Sequence, residues 1–363
     1  MNTNITVKYN DLPIYDIILE QNYNRLHEEL EKLDTKSKKV CIVTDSNVSK
    51  LYLNSLIDLL SNQAKVVESF TFDAGEGSKN LDTVYTLYEH LIKSNFDRKD
   101  LLIALGGGVV GDLTGYTAAT YLRGISFIQL PTSLLAMVDS SIGGKTGVDF
   151  HAYKNMIGAF HQPKSVYMNL RALSSLSDGQ FLSGLGEIIK HGLIKDVSYY
   201  EWLKSNVSGI KSRDLDILHE MVYRSCLIKR EVVEKDPKEL GDRALLNFGH
   251  TIGHAIEKLM DFKLLHGECV AIGMVAASYI SYKRNYISKE ELLDIVNTIE
   301  SFELPISVSG ISAEEVLKVT SYDKKNESGK LKFILLTQVG KAVIDTTVST
   351  DELLEAINYV ICE

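Results

Sequence analysis

Directly after the apolar run Leu101–Leu105 stands Gly106-Gly107-Gly108-Val109-Val110-Gly111-Asp112, a GxGxxG pattern set between a strand-like segment and a helix-like one. Glycines in that place let backbone amides approach a pyrophosphate at a helix N-terminus. The rest of the first half keeps the same rhythm. Val40–Thr44, Leu101–Leu105 and Ile125–Leu130 are short β-rich runs separated by helical patterns such as Leu81–Lys93, which predicts βαβ units and a parallel sheet. The acidic residue that normally follows such a fingerprint by about 20 positions is missing. The next one, Asp139, lies 28 residues past Gly111. Asp45, in Val43-Thr-Asp-Ser-Asn47 at the end of the first predicted strand, is a second candidate for ribose contact.

After about residue 170 the strand signals stop. Helical periodicity dominates from Gly184 to Tyr282, and returns over Ala313–Val319 and Asp351–Ile361. The minor exception is a small hairpin, Lys332–Leu336 with Ala342–Ile344, around Gln338-Val-Gly. At 363 residues and 45% hydrophobic the chain can bury two cores. Its net charge of −9 argues against nucleic-acid or anionic-membrane partners, which bind through excess Lys and Arg. Cys41, Cys226, Cys269 and Cys362 form no CxxC pair, as expected of reduced thiols. Met1–Glu20 lacks the basic-then-apolar pattern of a signal peptide, and the longest apolar run, Cys269–Ile280, falls short of the ~20 residues of a membrane span. A cytoplasmic location is expected.

Chemistry concentrates in the second half. If Arg243–His254 is helical, steps of about 100° put Arg243, Asn247, His250 and His254 on one face. His266 would sit about 160° from His250 on a continuous helix, so it joins them only if the chain breaks near Asp261-Phe262-Lys263. Upstream, Glu187 lies on an apolar, glycine-rich stretch with Lys190 and His191 three and four residues on. It needs either Lys190 or a metal as partner. One Glu with two His is a catalytic rather than a structural zinc set, and spacing leaves open whether His254 or His266 completes it. Arg123, Lys145 and Lys154-Asn155 form a basic cluster, with Ser140-Ser-Ile-Gly-Gly-Lys145 resembling an anion-binding loop.

Five segments read together, Gly106–Asp112, Pro131–Lys145, Lys154–Phe160, Gly186–Lys190 and Asn247–Glu257, closely resemble the 3-dehydroquinate synthase family, in order over about Asp45 to Lys325. The resemblance implies an NAD- and zinc-dependent lyase, zinc being replaceable by cobalt. Its substrate would be a phosphorylated sugar acid, 3-deoxy-D-arabino-heptulosonate 7-phosphate, converted to 3-dehydroquinate and phosphate in the shikimate pathway. NAD transiently oxidises a ring alcohol, phosphate leaves by β-elimination, the alcohol is restored, and an aldol step closes the carbocycle.

By the same matching Glu187, His250 and His266 are the expected metal ligands, and His254, Lys190, Asn247 and Asp139 the catalytic groups. Arg123 (from the neighbouring subunit of a homodimer), Lys145, Asn155, Asn247, His254 and one of Lys324 and Lys325 match the phosphate-side groups. Lys229 and Arg243 match the carboxylate side, and Lys154 lines the same wall. NAD contacts are expected from Asp45, Asn47, Glu76, Lys79, Gly107, Gly108, Val109, Asp112, Thr132, Ser133, Lys145 and Lys154. Ser133 and Met137 replace the family's commoner Thr and Gln, and Ser174–Gln180 lacks its Pro and Glu. The expected architecture is a Rossmann-like α/β NAD-binding domain with a parallel sheet over 1–170, then a mainly α-helical metal- and substrate-binding domain over 171–363. Two competing readings are another sugar-phosphate cyclase and a metal- and NAD-dependent polyol dehydrogenase. The second leaves the basic cluster without an anion, and the first has no need of both Arg243 and Lys229.

Overall fold

The computed structural model describes residues 3–151, 153–239, 241–261, 263–323 and 332–362, with backbone only for 321–323. They form two compact units, residues 1–176 and 177–363.

The first unit is an α/β sheet. Its strands are β1 (Thr3–Tyr9), β2 (Leu12–Glu20), β3 (Lys39–Asp45), β4 (Val66–Phe72), β5 (Leu101–Gly106), β6 (Ser126–Pro131) and, after a two-stranded antiparallel ribbon of β7 (Lys145–Phe150) and β8 (Tyr153–Phe160), β9 (Ser165–Asn169). Helices α1 (Leu26–Lys32), α2 (Asn54–Leu60), α3 (Leu81–Lys93) and α4 (Gly108–Thr120) connect them. The sheet runs β1-β2-β9-β6-β5-β3-β4, parallel throughout except for the β1–β2 hairpin, which turns at Asn10 and Asp11, both at positive φ. Every residue of β5 is buried, as a central strand covered on both faces requires.

Strand order fixes where ligands collect. From β3 the chain passes to β4 on one side and then to β5 on the other, so the topology switches between β3 and β5. Thr44 pairs with Leu105, which places the ends of these strands, Asp45 and the glycine loop, side by side at that switch point.

The second unit is helical, as the periodicity predicts: α5 (Asp178–Lys195), α6 (Val197–Ser205), α7 (Val207–Lys211), α8 (Leu215–Lys235), α9 (His250–Leu259), α10 (His266–Lys283), α11 (Lys289–Ser301), α12 (Ala313–Asp323) and α13 (Thr350–Val360). The expected hairpin is β10 (Phe333–Gln338) with β11 (Lys341–Asp345). Helix α10 is buried on all sides from Cys269 to Ser278, which its uninterrupted apolar sequence dictates. Glycines let its backbone touch its neighbours. A Cβ built on Gly267 would lie 1.8 Å from the Ser183 carbonyl of α5, and one on Gly253 of α9 would lie 2.8 Å from the Cys269 carbonyl. No helix among the described residues is long and apolar enough to cross a membrane.

Candidate metal centre and nucleotide cradle

Helix α4 starts without a side-chain cap: its N-cap, Gly107, is extended and offers none. The first intrahelical bond donates from the Gly111 amide to the Gly107 carbonyl at 3.0 Å, which leaves the amides of Gly108, Val109 and Val110 without helical partners. A 13-residue helix beginning this way at the switch point has the free amides and dipole that can cradle a pyrophosphate. Its floor is tight. Added Cβ atoms on Gly107 and Gly108 would stand 3.4 Å from Ser133 Oγ and 3.0 Å from Ser140 Oγ. The Thr132 amide donates to the Gly106 carbonyl, and Asp45 Oδ1 accepts from the amides of Asn47 and Val48, so both expected contacts are held by local backbone bonds.

Beside the cradle, Lys79 is 4% exposed and its Nζ sits 2.7 Å from Asp112 Oδ2 and 3.8 Å from Glu76 Oε1. Lys79 also donates to Asn155 Oδ1. Burial opposes the ammonium, but Asp112 and Glu76 outweigh it and raise the Lys79 pKa above its ordinary value. Lys145, Lys154 and Asn155 are exposed on the β7–β8 ribbon. Arg123 is exposed and follows Leu122, both at positive φ. Asp139 is half-buried beyond Ser133.

In the second unit five of the expected residues converge. Glu187 is buried on α5, and its Oε2 accepts a bond from Lys190. Its other oxygen, Oε1, is buried with no hydrogen-bond partner, yet lies 3.4 Å from Nε2 of both His250 and His266. Donors about 2.0–2.1 Å from a tetrahedral cation stand about 3.4 Å apart, so this spacing fits a zinc-like ion. Ion pair and metal ligand are thus compatible roles for Glu187, one for each oxygen. Nδ1 of His250 faces the Phe248 carbonyl at 3.2 Å, which leaves Nε2 for a ligand. His254 is exposed beside the set, its ring 5.1 Å from that of His250 and 5.6 Å from that of His266.

Electrostatics separate these groups. Burial would raise the Glu187 carboxyl, but Lys190 and the two imidazoles outweigh it and hold it well below the usual carboxylate range. Burial drives His250 well below its ordinary value, against the pull of Glu187. Burial opposes the charged form of His266 too, yet Glu187 and Glu257 push it up to about 9.

One expectation is corrected. Arg243, Asn247, His250 and His254 do not share a helical face, because Asp242–Asn247 is a short 3-10 turn that ends at Phe248. Gly249 then reverses the chain at φ 82, and α9 begins at His250. A Cβ on Gly249 would lie 2.7 Å from the Val270 carbonyl, so only glycine permits this break against α10. Arg243 is 2% exposed and donates to the Pro237 carbonyl at 2.9 Å, Lys229 is buried on α8, and Asn247 is exposed. His191 faces Ser225 Oγ through Nδ1 at 3.3 Å, and one of its ring nitrogens lies within 4.8 Å of a Glu187 carboxylate oxygen. Lys324 and Lys325 lie outside the described residues. Glu257, absent from the expected set, faces His266; its signal was its place seven residues after His250 on the same helix.

Residues 69–183 match the 3-dehydroquinate synthase N-terminal family and residues 184–326 the 3-dehydroquinate synthase C-terminal family. The chain belongs to the 3-dehydroquinate synthase family. The 3-dehydroquinate synthase of Acetivibrio thermocellus is 43% identical over 354 residues, 98% of this chain and 97% of that one. Among solved structures, 2-epi-5-epi-valiolone synthase of Streptomyces hygroscopicus subsp. jinggangensis 5008, with NAD+ and Zn2+ bound, superposes with a TM-score of 0.87 at 27% identity, covering 95% of this chain and 96% of that one. Glycerol dehydrogenase of Schizosaccharomyces pombe, at 16% identity and a TM-score of 0.67 over 94% of this chain and 87% of its own, shares the fold alone.

Proposed function

We propose that this chain is a 3-dehydroquinate synthase, a carbon–oxygen lyase converting 3-deoxy-D-arabino-heptulosonate 7-phosphate into 3-dehydroquinate and phosphate. The observation that carries the reading is the orphaned Glu187 Oε1 held 3.4 Å from both His250 Nε2 and His266 Nε2, within a chain 43% identical to a 3-dehydroquinate synthase. NAD, when bound, would accept and return one hydride, and Zn2+ or Co2+, held by Glu187, His250 and His266, would polarise the oxygen of the alcohol whose carbon is oxidised.

The chain's own residues do the rest. Gly107, Gly108, Val109, Thr132 and Ser133 hold the cofactor's phosphates, with Asp45, Asn47, Glu76, Lys79 and Asp112 around them. Arg243 and Lys229 hold the carboxylate, Arg being suited by its bidentate fork. Lys145, Lys154, Asn155, Asn247 and one of Lys324 and Lys325 take the phosphate end, with Arg123 coming from the second subunit of a homodimer. His254, exposed beside the triad, moves a proton, and Lys190 and Asp139 direct substrate hydroxyls. Residues 1–170 are the NAD-binding domain and 171–363 the metal- and substrate-binding domain of a cytoplasmic enzyme.

The decisive assay supplies the heptulosonate phosphate with substoichiometric NAD. Phosphate release in many-fold excess over NAD, with no NADH at completion, is expected. Stoichiometric free NADH would assign the chain to the dehydrogenases instead.

A further inference from the structure

The two histidines facing Glu187 Oε1 are steadied differently. His250 opens α9, and its Nδ1 is occupied by the Phe248 carbonyl just ahead of it. His266 opens α10 after Leu265, and the group that faces its Nδ1 is a side chain: Glu257 Oε2, at 3.7 Å. Glu257 is 5% exposed. It lies seven residues after His250, close to two full turns, so α9 projects both His250 and Glu257 to one side. The backbone contact of Gly253 with Cys269 fixes how far apart α9 and α10 stand, and hence how far Glu257 must reach. The present 3.7 Å is an ion-pair separation; a shift of under about 1 Å makes it a charge-assisted hydrogen bond.

We propose that Glu257 is the positioning residue of the metal centre, holding the His266 imidazole by Nδ1 so that Nε2 points at the cation shared with Glu187 and His250. The inference rests on the metal reading above and adds a group to it. A carboxylate behind a ligating imidazole fixes the ring's tautomer and direction and makes the ligand more basic. It also explains a charged side chain buried in an apolar helix face, where a solvated surface residue would serve α9 equally well.

The test is zinc affinity of the purified full chain, measured by chelator competition, together with the melting temperature of the metal-free protein, for the parent, Glu257→Gln and Glu257→Leu. Gln keeps a neutral acceptor and Leu keeps none. Affinity is expected to fall about 10- to 100-fold in Glu257→Leu and by less in Glu257→Gln, with the metal-free melting temperature of Glu257→Gln unchanged. Parent-like affinity in both variants overturns the proposal while leaving the metal site intact. Loss of affinity only in step with loss of metal-free stability, in Glu257→Gln, reduces Glu257 to a structural residue and also overturns it. A parent that binds no zinc overturns the metal reading itself.

Discussion

Gly186 of α5 and Gly267 of α10 meet backbone to backbone: a Cβ on Gly186 would stand 2.5 Å from the Gly267 carbonyl oxygen. Their sequence neighbours are Glu187 and His266. This backbone contact therefore helps set the distance between two of the three candidate ligands. A methyl group at Gly267 meets the Ser183 carbonyl at 1.8 Å, so the helices must separate. Gly267→Ala is expected to cost about 1–3 kcal/mol in urea unfolding and to lower bound zinc at the same time. Parent-like zinc content in a destabilised Gly267→Ala protein would show that helix spacing and ligand spacing are independent.

In the first unit the pair of buried Lys79 and half-buried Asp112 is a liability once broken. Asp112→Asn removes the nearest counter-charge from a lysine that is 4% exposed, at an expected cost of about 3 kcal/mol. Replacing both, as Lys79→Met with Asp112→Leu, should recover most of that stability while abolishing NAD binding. A single variant as stable as the parent in denaturant titration would mean that Asn155 and Glu76 suffice for Lys79.

Much of this was legible in the sequence because it depends on local pattern. The strand, three glycines and helix at 101–120, and the helical period after 184, each follow from spacing, and α3 matches its expected range of Leu81–Lys93. Strands β1, β2, β4 and β9 and the β7–β8 ribbon do not show in the sequence pattern: β1 and β4 are sheet edges, β9 has five residues, and β2 owes its place to pairing with both β1 and β9. The stripe through Arg243 failed for a physical reason: Gly249 adopts a positive φ that helical periodicity does not reveal. Glu257 was passed over because a carboxylate at that position also suits a surface, and only burial distinguishes the two.

Arg243 now belongs to a separate turn from the histidines, so its loss should leave the metal in place. Arg243→Ala is expected to lower kcat/KM by ten- to a hundred-fold, about 1.5–3 kcal/mol, on the natural substrate and far less on an analogue without the carboxylate. Equal losses on both would remove Arg243 from the carboxylate side and weaken the distinction from other sugar-phosphate cyclases.

Acid should loosen the C-terminal helix before it disturbs the rest of the fold. Arg284 bonds both carboxylate oxygens of Glu352 and, against the effect of burial, lowers its carboxyl to about 2. A carboxylate depressed in the folded state contributes stability that is fully present above its unfolded pKa, near 4.5, and lost as pH falls toward 2. Glu352→Gln should flatten the melting-temperature profile over that window and cost about 1 kcal/mol at neutral pH, modest because the pair is partly exposed. An unchanged acid profile in the variant would show that Arg284 draws its stabilising contact from Asp345 instead.

The most direct test of the metal centre is zinc content, by elemental analysis, of four purified variants loaded under identical conditions. Glu187→Gln, His250→Ala and His266→Ala should each lose the metal, while His254→Ala should keep it and lose turnover. Full zinc in His266→Ala together with loss in His254→Ala would reverse the roles of the two histidines and contradict the site built on Glu187 Oε1.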